Sequence, residues 1–372
     1  MGRTVAVIHQ AAPRKGNVRV CILTDIPSPY QVEFFNGIAA QEGVDLSVAY
    51  LRDSDPERLW QPANEEYECC VINESQAALS HAEARAIAAD FAIFNYYNHP
   101  LAERLIARRA ATGKPWCFWG ERPGLRKPQF AGAWFRKWKL KALHRSHVPI
   151  WGIGEFAVEQ YRNEFGAERV YQNLPYFSNL DRFTCERRGD RSRRVFLFAG
   201  AFIERKGVDL LSRAFVRLAR EFPNVSLKIA GAGRLAGTIA RTLEPVRERV
   251  ELAGFKDWSE LPELYASADV LCVPSRYDGW GLVVPEGLAA GLPVIATDRM
   301  GAALEFVRTG SNGWLIPAGD EDRIFSAMRE AALLSEAALG QLGQRARESV
   351  SEHTLAHGVE RFVRYAREAV NV

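Results

Sequence analysis

Residues 274–294 hold the densest set of groups able to do chemistry: Pro274-Ser-Arg-Tyr-Asp278-Gly279-Trp-Gly281-Leu282-Val283-Val-Pro-Glu286-Gly-Leu-Ala-Ala-Gly291-Leu-Pro-Val294. Asp278 and Glu286 stand eight positions apart. Carboxylates accept well from hydroxyls and are poor phosphate ligands, which suits them to sugar and ribose hydroxyls. Gly279 and Gly281 let the backbone approach a ligand with its amides directed outward. The helix expected from about Val284 to Ala290 would turn its first N–H groups toward an anion such as a diphosphate.

Upstream, Arg205 and Lys206 precede an apolar-periodic stretch at 207–222, with Leu211, Phe215, Leu218 and Phe222 on one stripe. Cations at a helix start oppose the helix dipole, so a bound anion explains them better than solvation does. Gly231 and Gly233 form a lone GxG, which a plain turn explains equally well. Capping electrostatics alone would account for Glu286 at a helix start. Order and spacing of the whole set, rather than any member, carry the site.

The elements that must position these groups alternate. Strands are expected at Val18–Thr24, Leu46–Tyr50, Phe91–Asn95, Trp116–Trp119, Val195–Ala199, Val225–Ala230, Asp269–Val273 and Pro293–Ala296, with helices between them. Alternation of this kind implies parallel sheets with crossover helices, whose ligands bind at the carboxyl ends of the strands. A chain of 372 residues exceeds the usual size of one core, so two domains are expected. The expected division is 1–175 with a returning C-terminal helix in 352–372, a linker at 176–193, and 194–351. The arginine-rich stretch at 186–194 reads as a solvated linker in preference to a binding patch. Residues 1–17 read as a loosely held extension.

Composition narrows the partners. With 47% hydrophobic and 25% charged residues and a net charge of only +3, the chain reads as an ordinary globular protein with nothing that requires nucleic acid. Six cysteines lack CxxC spacing, as reduced core thiols do, and a cytoplasmic location is expected. The apolar run Val5 to Ile8 is too short for a signal-peptide core, and no run is long enough for a spanning helix.

The segment at 274–294 resembles the signature of family 4 of the retaining glycosyltransferases, also called glycosyl transferases group 1: Pro-Ser, an acid, Gly, a second Glu eight positions on, then Ala-x-Gly-x-Pro-Val. The resemblance implies the GT-B fold, two Rossmann-like α/β/α domains facing a central cleft that closes over the donor, with a C-terminal helix crossing back. It implies that the first acid, Asp278, contacts the donor sugar and that Glu286 contacts the nucleotide ribose. The family usually has Glu first, and the shorter Asp278 bears on sugar preference or on activity itself. Gly200-Ala-Phe-Ile-Glu-Arg205-Lys206-Gly207 resembles the loop whose basic residues hold the donor diphosphate, although Ala201 stands where the family often has Arg. Gly231-Ala-Gly233 resembles the loop lining the nucleotide pocket, and Leu252-Ala-Gly254-Phe255 with Leu264-Tyr-Ala-Ser-Ala-Asp269 resembles the stretch beside the base. Glu305-Phe-Val and Asn312-Gly313 complete the pattern, which is dense over about 195–320.

The first domain is sparser. Pro29 and Tyr30 end the turn Asp25–Tyr30, where such enzymes place an acceptor-side loop, but the common double glycine is lacking. No histidine follows Trp116–Trp119; the chain there reads Phe118-Trp-Gly120-Glu121-Arg122-Pro123. Glu121, able to accept from an acceptor hydroxyl, and Arg122 are the candidates, and a surface ion pair explains them equally. His99 is a weaker candidate that reads equally as a helix cap. Arg126 to Arg145 holds seven basic residues and no acid, interleaved with Trp134, Phe135, Trp138, Leu140 and Leu143. This stretch suits an anionic membrane surface, or an ordinary helix that packs its aromatics inward.

The expectation is a metal-independent transfer of a sugar from a UDP- or GDP-linked donor to a saccharide or lipid-linked acceptor, with no separate cofactor. Lys206, Arg205, Asp278 and Glu121 would act at the reacting groups. A GT-B epimerase or phosphorylase, or a weakly active sugar-nucleotide-binding assembly partner, remain alternatives.

Overall fold

The structure is a computed structural model that describes residues 16–54, 64–73, 75–121, 129–184 and 192–370. Arg122, Arg126, Lys127 and the arginine-rich stretch at 186–191 lie outside the described residues, as do residues 1–15 of the expected extension. The chain divides into two compact units, Met1–Ser178 with Leu355–Val372, and Asn179–Thr354.

In the first unit, β1 (Val18–Thr24), α1 (Pro29–Ala39), β2 (Val44–Tyr50), β3 (Glu68–Val71), α2 (Gln76–Ala88), β4 (Phe91–Phe94), α3 (Pro100–Ala111) and β5 (Trp116–Gly120) follow in order. Then come α4 (Gln129–Lys139), α5 (Lys141–His144), β6 (Ile150–Gly152), α6 (Glu155–Phe165) and β7 (Tyr171–Asn173). The strands form one seven-stranded sheet in the order β3-β2-β1-β4-β5-β6-β7, and every pairing is parallel. Helices cover both faces of such a sheet, which is why β4 and β5 are apolar at every position and wholly buried.

In the second unit, β8 (Arg194–Ala199), α7 (Val208–Glu221), β9 (Val225–Ala230), α8 (Ala236–Leu243), β10 (Val250–Gly254), α9 (Leu261–Ala266) and β11 (Val270–Val273) lead into the segment of interest. They are followed by α10 (Val283–Ala289), β12 (Val294–Thr297), α11 (Gly301–Phe306), β13 (Gly313–Ile316), α12 (Glu321–Leu333) and α13 (Glu336–Ser349). The six strands run β10-β9-β8-β11-β12-β13, again all parallel. The last helix, α14 (Leu355–Val370), belongs to the first unit. It buries Val359, Phe362, Val363 and Ala366, and Phe362 meets Phe34 of α1 edge-on at 6.0 Å.

Within the linker expected at 176–193, Tyr176, Phe177, Ser178, Leu180 and Phe183 are all buried. Phe177 stacks on Phe34 at 5.8 Å, and Phe183 meets Tyr265 edge-on at 5.3 Å. The basic stretch is not one helix, since the backbone breaks at Leu140 (φ −99°, ψ 38°) between α4 and α5.

Candidate active site

In each sheet the chain winds outward in one direction and then in the other. The reversal lies between β1 and β4 in the first unit and between β8 and β11 in the second. Strand-end loops part at such a point and leave room for a ligand. In the second unit the loops after β8 and β11 are those that carry Arg205, Lys206 and Asp278.

Strong local geometry brings them together. Gly207 has φ +71°, and a Cβ there would lie 1.9 Å from the Pro274 carbonyl oxygen, so only glycine lets the two loops meet. The Arg276 N–H donates to the Arg205 carbonyl at 2.8 Å. The Arg276 guanidinium forks onto Asp209 in the first turn of α7, with both bonds at 2.8 Å, and it also donates to the Glu204 carbonyl. A bidentate pair fixes direction as well as distance.

Lys206 Nζ then lies 2.5 Å from Asp278 Oδ2, and Arg205 Nη1 lies 3.3 Å from Oδ1. The Asp278 side chain is only 14% exposed. Burial alone would raise its carboxyl, but the charges of Lys206 and then Arg205 outweigh that and hold it below the ordinary carboxylate range. Asp278 is therefore engaged with the two cations, whereas the sequence pointed it at sugar hydroxyls. The shorter side chain sits back on Lys206. Arg205 also stacks over the Tyr277 ring, 5.7 Å from its centroid.

Glu286 lies on α10 with 2% exposure and accepts from the Tyr265 hydroxyl at 2.9 Å. Leu282 and Val283 flank the loop end, half-buried. The expected row of anion-binding amides is thinner than the sequence implied. The Val284 N–H donates to Gly281, the Glu286 N–H donates to Leu282, and Pro285 has none. Gly279 and Gly281 serve packing as well as access. A Cβ on Gly281 would lie 2.6 Å from Met300, and one on Gly301 would lie 2.6 Å from the Gly279 carbonyl oxygen.

Gly231 and Gly233 have a packing role of their own. A Cβ on Gly231 would lie 1.9 Å from the Gly200 carbonyl oxygen, so the loops after β8 and β9 touch through these residues. Phe255, 38% exposed, follows β10 and stands apart from the Lys206–Asp278 pair in sequence and sheet position.

At the first unit's reversal, the sequence had not singled out the group that is found. Thr24 Oγ1 donates to Asn95 Oδ1 at 3.0 Å, Gln31 Nε2 lies 3.4 Å from both, and Asn95 Nδ2 donates to the Trp119 carbonyl at 2.9 Å. Pro29 starts α1, and Tyr30 packs on Tyr176 at 5.2 Å. The Glu121 carbonyl accepts from Tyr161 at 2.8 Å. Arg122 lies outside the described residues. His99 caps α3, its Nδ1 accepting from the Leu101 N–H at 3.3 Å. Arg276 and Tyr265 lie within the stretches at 274–294 and 264–269 but were given no role, and Asp209 and Thr24/Gln31/Asn95 were not singled out. Asp209 left a trace, as an acid two residues beyond a helix start that is otherwise basic.

The family described as Glycosyl transferases group 1 matches residues 186–349. The GDP-mannose-dependent alpha-(1-6)-phosphatidylinositol monomannoside mannosyltransferase of Mycolicibacterium smegmatis is 31% identical over 269 residues, 66% of this chain and 67% of that protein. A GDP-mannose-dependent monoacylated alpha-(1-6)-phosphatidylinositol monomannoside mannosyltransferase of Corynebacterium glutamicum is 26% identical over 212 residues, 52% of this chain and 55% of that protein. The chain belongs to the group 1 glycosyltransferases.

Solved structures agree on the fold. HepE of Anabaena, in complex with UDP and glucose, superposes with a TM-score of 0.73 at 14% identity over 94% of this chain and 100% of that one. Sucrose-phosphate synthase of Thermosynechococcus elongatus gives 0.73 at 18% identity over 95% and 99%. At these identities the likeness establishes the GT-B fold.

Proposed function

We propose that this glycosyltransferase moves a sugar, with retention of configuration, from a nucleotide-diphosphate-sugar to a lipid-linked saccharide. The observation that carries the reading is the Arg205–Lys206–Asp278 cluster at the second unit's strand reversal, with buried Glu286 on the helix that follows. Two cations share one carboxylate there, and an incoming diphosphate with two charges competes for Lys206. Charge growing on the departing diphosphate is then offset by Lys206 and Arg205 without a metal ion. Glu286 takes the ribose hydroxyls. Asp278, once Lys206 turns to phosphate, is the acceptor nearest the sugar.

The Thr24–Gln31–Asn95 group at the first unit's reversal supplies amide and hydroxyl partners suited to a polyhydroxylated acceptor. The named relatives use GDP-mannose, which makes it the first donor to test. Exposed Trp134 and Trp138 beside Lys137, Lys141 and Arg145 support peripheral contact with an anionic membrane. Buried thiols at Cys21, Cys70, Cys117 and Cys272 suit a reducing cytoplasm.

The test is a thermal-shift screen of GDP- and UDP-sugars, since a true donor raises the melting temperature by mass action. An assay of nucleoside diphosphate release with and without lipid-linked saccharide follows. Release that depends on acceptor and survives a chelator is expected. Loss of release on chelation would remove the metal-free charge offset, and a donor that binds without any acceptor-dependent release would favour the epimerase, phosphorylase or weakly active binding readings.

A further inference from the structure

Tyr265 is a fully buried phenol that the transfer reading leaves without a task. It sits in the apolar helix α9, where a phenylalanine would pack equally well, yet its hydroxyl reaches across to Glu286 Oε2 at 2.9 Å. Both partners are shut away from water, Tyr265 at 0% and Glu286 at 2% exposure. A hydrogen bond to a buried carboxylate is among the stronger kinds, and the group it orients is held to one rotamer.

The ring itself is fixed. Phe183 meets it edge-on at 5.3 Å. The segment carrying Phe183 is anchored in turn by Arg182 over the Trp258 ring, 4.7 Å from its centroid. Trp258 belongs to a turn closed by a capping box, in which Asp257 and Glu260 each bond the other's backbone N–H. The ring is therefore held in place by Phe183 and the segment packed behind it. Burial and the neighbouring Glu286 charge both raise the phenol above its ordinary range, so it remains an O–H donor throughout the working pH range.

We infer that Tyr265 is a positioning residue for nucleotide recognition: its hydroxyl orients the Glu286 carboxylate so that the enzyme reads the donor's ribose hydroxyls. The inference rests on the reading of Glu286 as the ribose contact. It predicts that Tyr265 acts only through Glu286 and only on the ribose.

Calorimetry with GDP, UDP and their 2′,3′-dideoxy analogues separates the possibilities. In the native protein, removal of the ribose hydroxyls should weaken binding of the preferred nucleotide about 10- to 100-fold. Tyr265→Phe should weaken binding of the ribonucleotide about 5- to 20-fold and leave the dideoxy analogue within about twofold of native. Glu286→Gln should abolish most of the ribose preference, and the double variant should bind no worse than Glu286→Gln alone, because Tyr265 has nothing left to orient.

If Tyr265→Phe weakens both nucleotides equally, the tyrosine is merely structural and the inference falls. If it preserves the full ribose preference while Glu286→Gln removes it, the inference falls and the ribose role of Glu286 survives. If Glu286→Gln itself retains the preference, the underlying reading is wrong. Should Tyr265→Phe not fold, the comparison of Glu286→Gln with the double variant decides the matter: a double variant that binds the ribonucleotide more weakly than Glu286→Gln overturns the inference.

Discussion

Lys206 is the residue on which the donor reading turns, because one ammonium serves two anions in succession. Lys206 holds Asp278, and on the proposed reading it turns to the diphosphate when donor binds. Lys206→Ala should lower kcat/KM about 100- to 1000-fold, the scale of a lost contact to developing charge, and full activity in that variant would refute the role. The Asp278 pairing also predicts a pH signature. Its folded carboxyl lies below its ordinary value of 3.8, with burial opposing and Lys206 and Arg205 prevailing. A depressed carboxyl contributes stability that is complete above the unfolded value and is lost as pH falls through the folded one. The melting-temperature gap between native protein and Asp278→Asn should thus stay flat from about pH 5 to 8 and shrink below about pH 4. A gap that grows on acidification would show that the pair does not form.

At the scale of elements, the loops after β8 and β11 act as one piece because Arg276 joins them to α7. Lysine cannot reproduce a fork onto Asp209, so Arg276→Lys should lower kcat/KM about 10- to 100-fold through misplacement of Lys206 and Asp278. The charge-exchanged pair Arg276→Asp with Asp209→Arg should recover part of that loss, and a pair no better than the single variant would assign Arg276 another role. This clamp also marks where reading the sequence stops. Apolar strands such as β1 and β5 were legible because a strand covered on both faces is buried at nearly every position. The strands β6, β7 and β13 have only three or four residues, and β10 is an edge strand with Leu252 54% exposed, so none stands out by pattern. Asp278 and Glu286 were singled out by their spacing and Lys206 by its place before a helix start. The partners that orient them, Arg276 with Asp209 and Tyr265 with Glu286, are 67 and 21 residues apart, and no local pattern announces such pairs. Arg109 makes the same point in the first unit: it has 0% exposure and donates to five carbonyls between Ala86 and Pro115, where the sequence showed only the end of a helix.

For the molecule as a whole, a net charge of +3 says little until the charges are sorted by partner. The basic stretch read as free of acids is not free in space. Arg136 is buried against Glu164 at 2.7 Å, and Lys139 pairs with Glu103. Those two cations anchor α4 to α6 and α3 and are removed from any count of membrane contacts. What remains exposed is more pointed than the sequence implied. Trp134 and Trp138, four residues apart on α4, are 74% and 52% exposed, so they do not pack inward. Lys137, Lys141 and Arg145 are exposed and have no carboxylate partner among the described residues. Among the described residues no helix is long and apolar enough to cross a membrane. The proposed contact with a bilayer is made at this surface. Each lysine near an anionic surface contributes about 1 kcal/mol, roughly fivefold in partition. Lys137→Ala with Lys141→Ala should therefore weaken cosedimentation with phosphatidylglycerol vesicles about 25-fold and change nothing on phosphatidylcholine. Trp134→Ala with Trp138→Ala should weaken binding to both, because indoles bind the interface whatever its charge. Lys139→Ala should leave vesicle binding unchanged and lower the melting temperature through the orphaned Glu103. Equal losses from Lys139 and Lys137 would mean that charge number alone, and not this face of α4, draws the protein to the lipid.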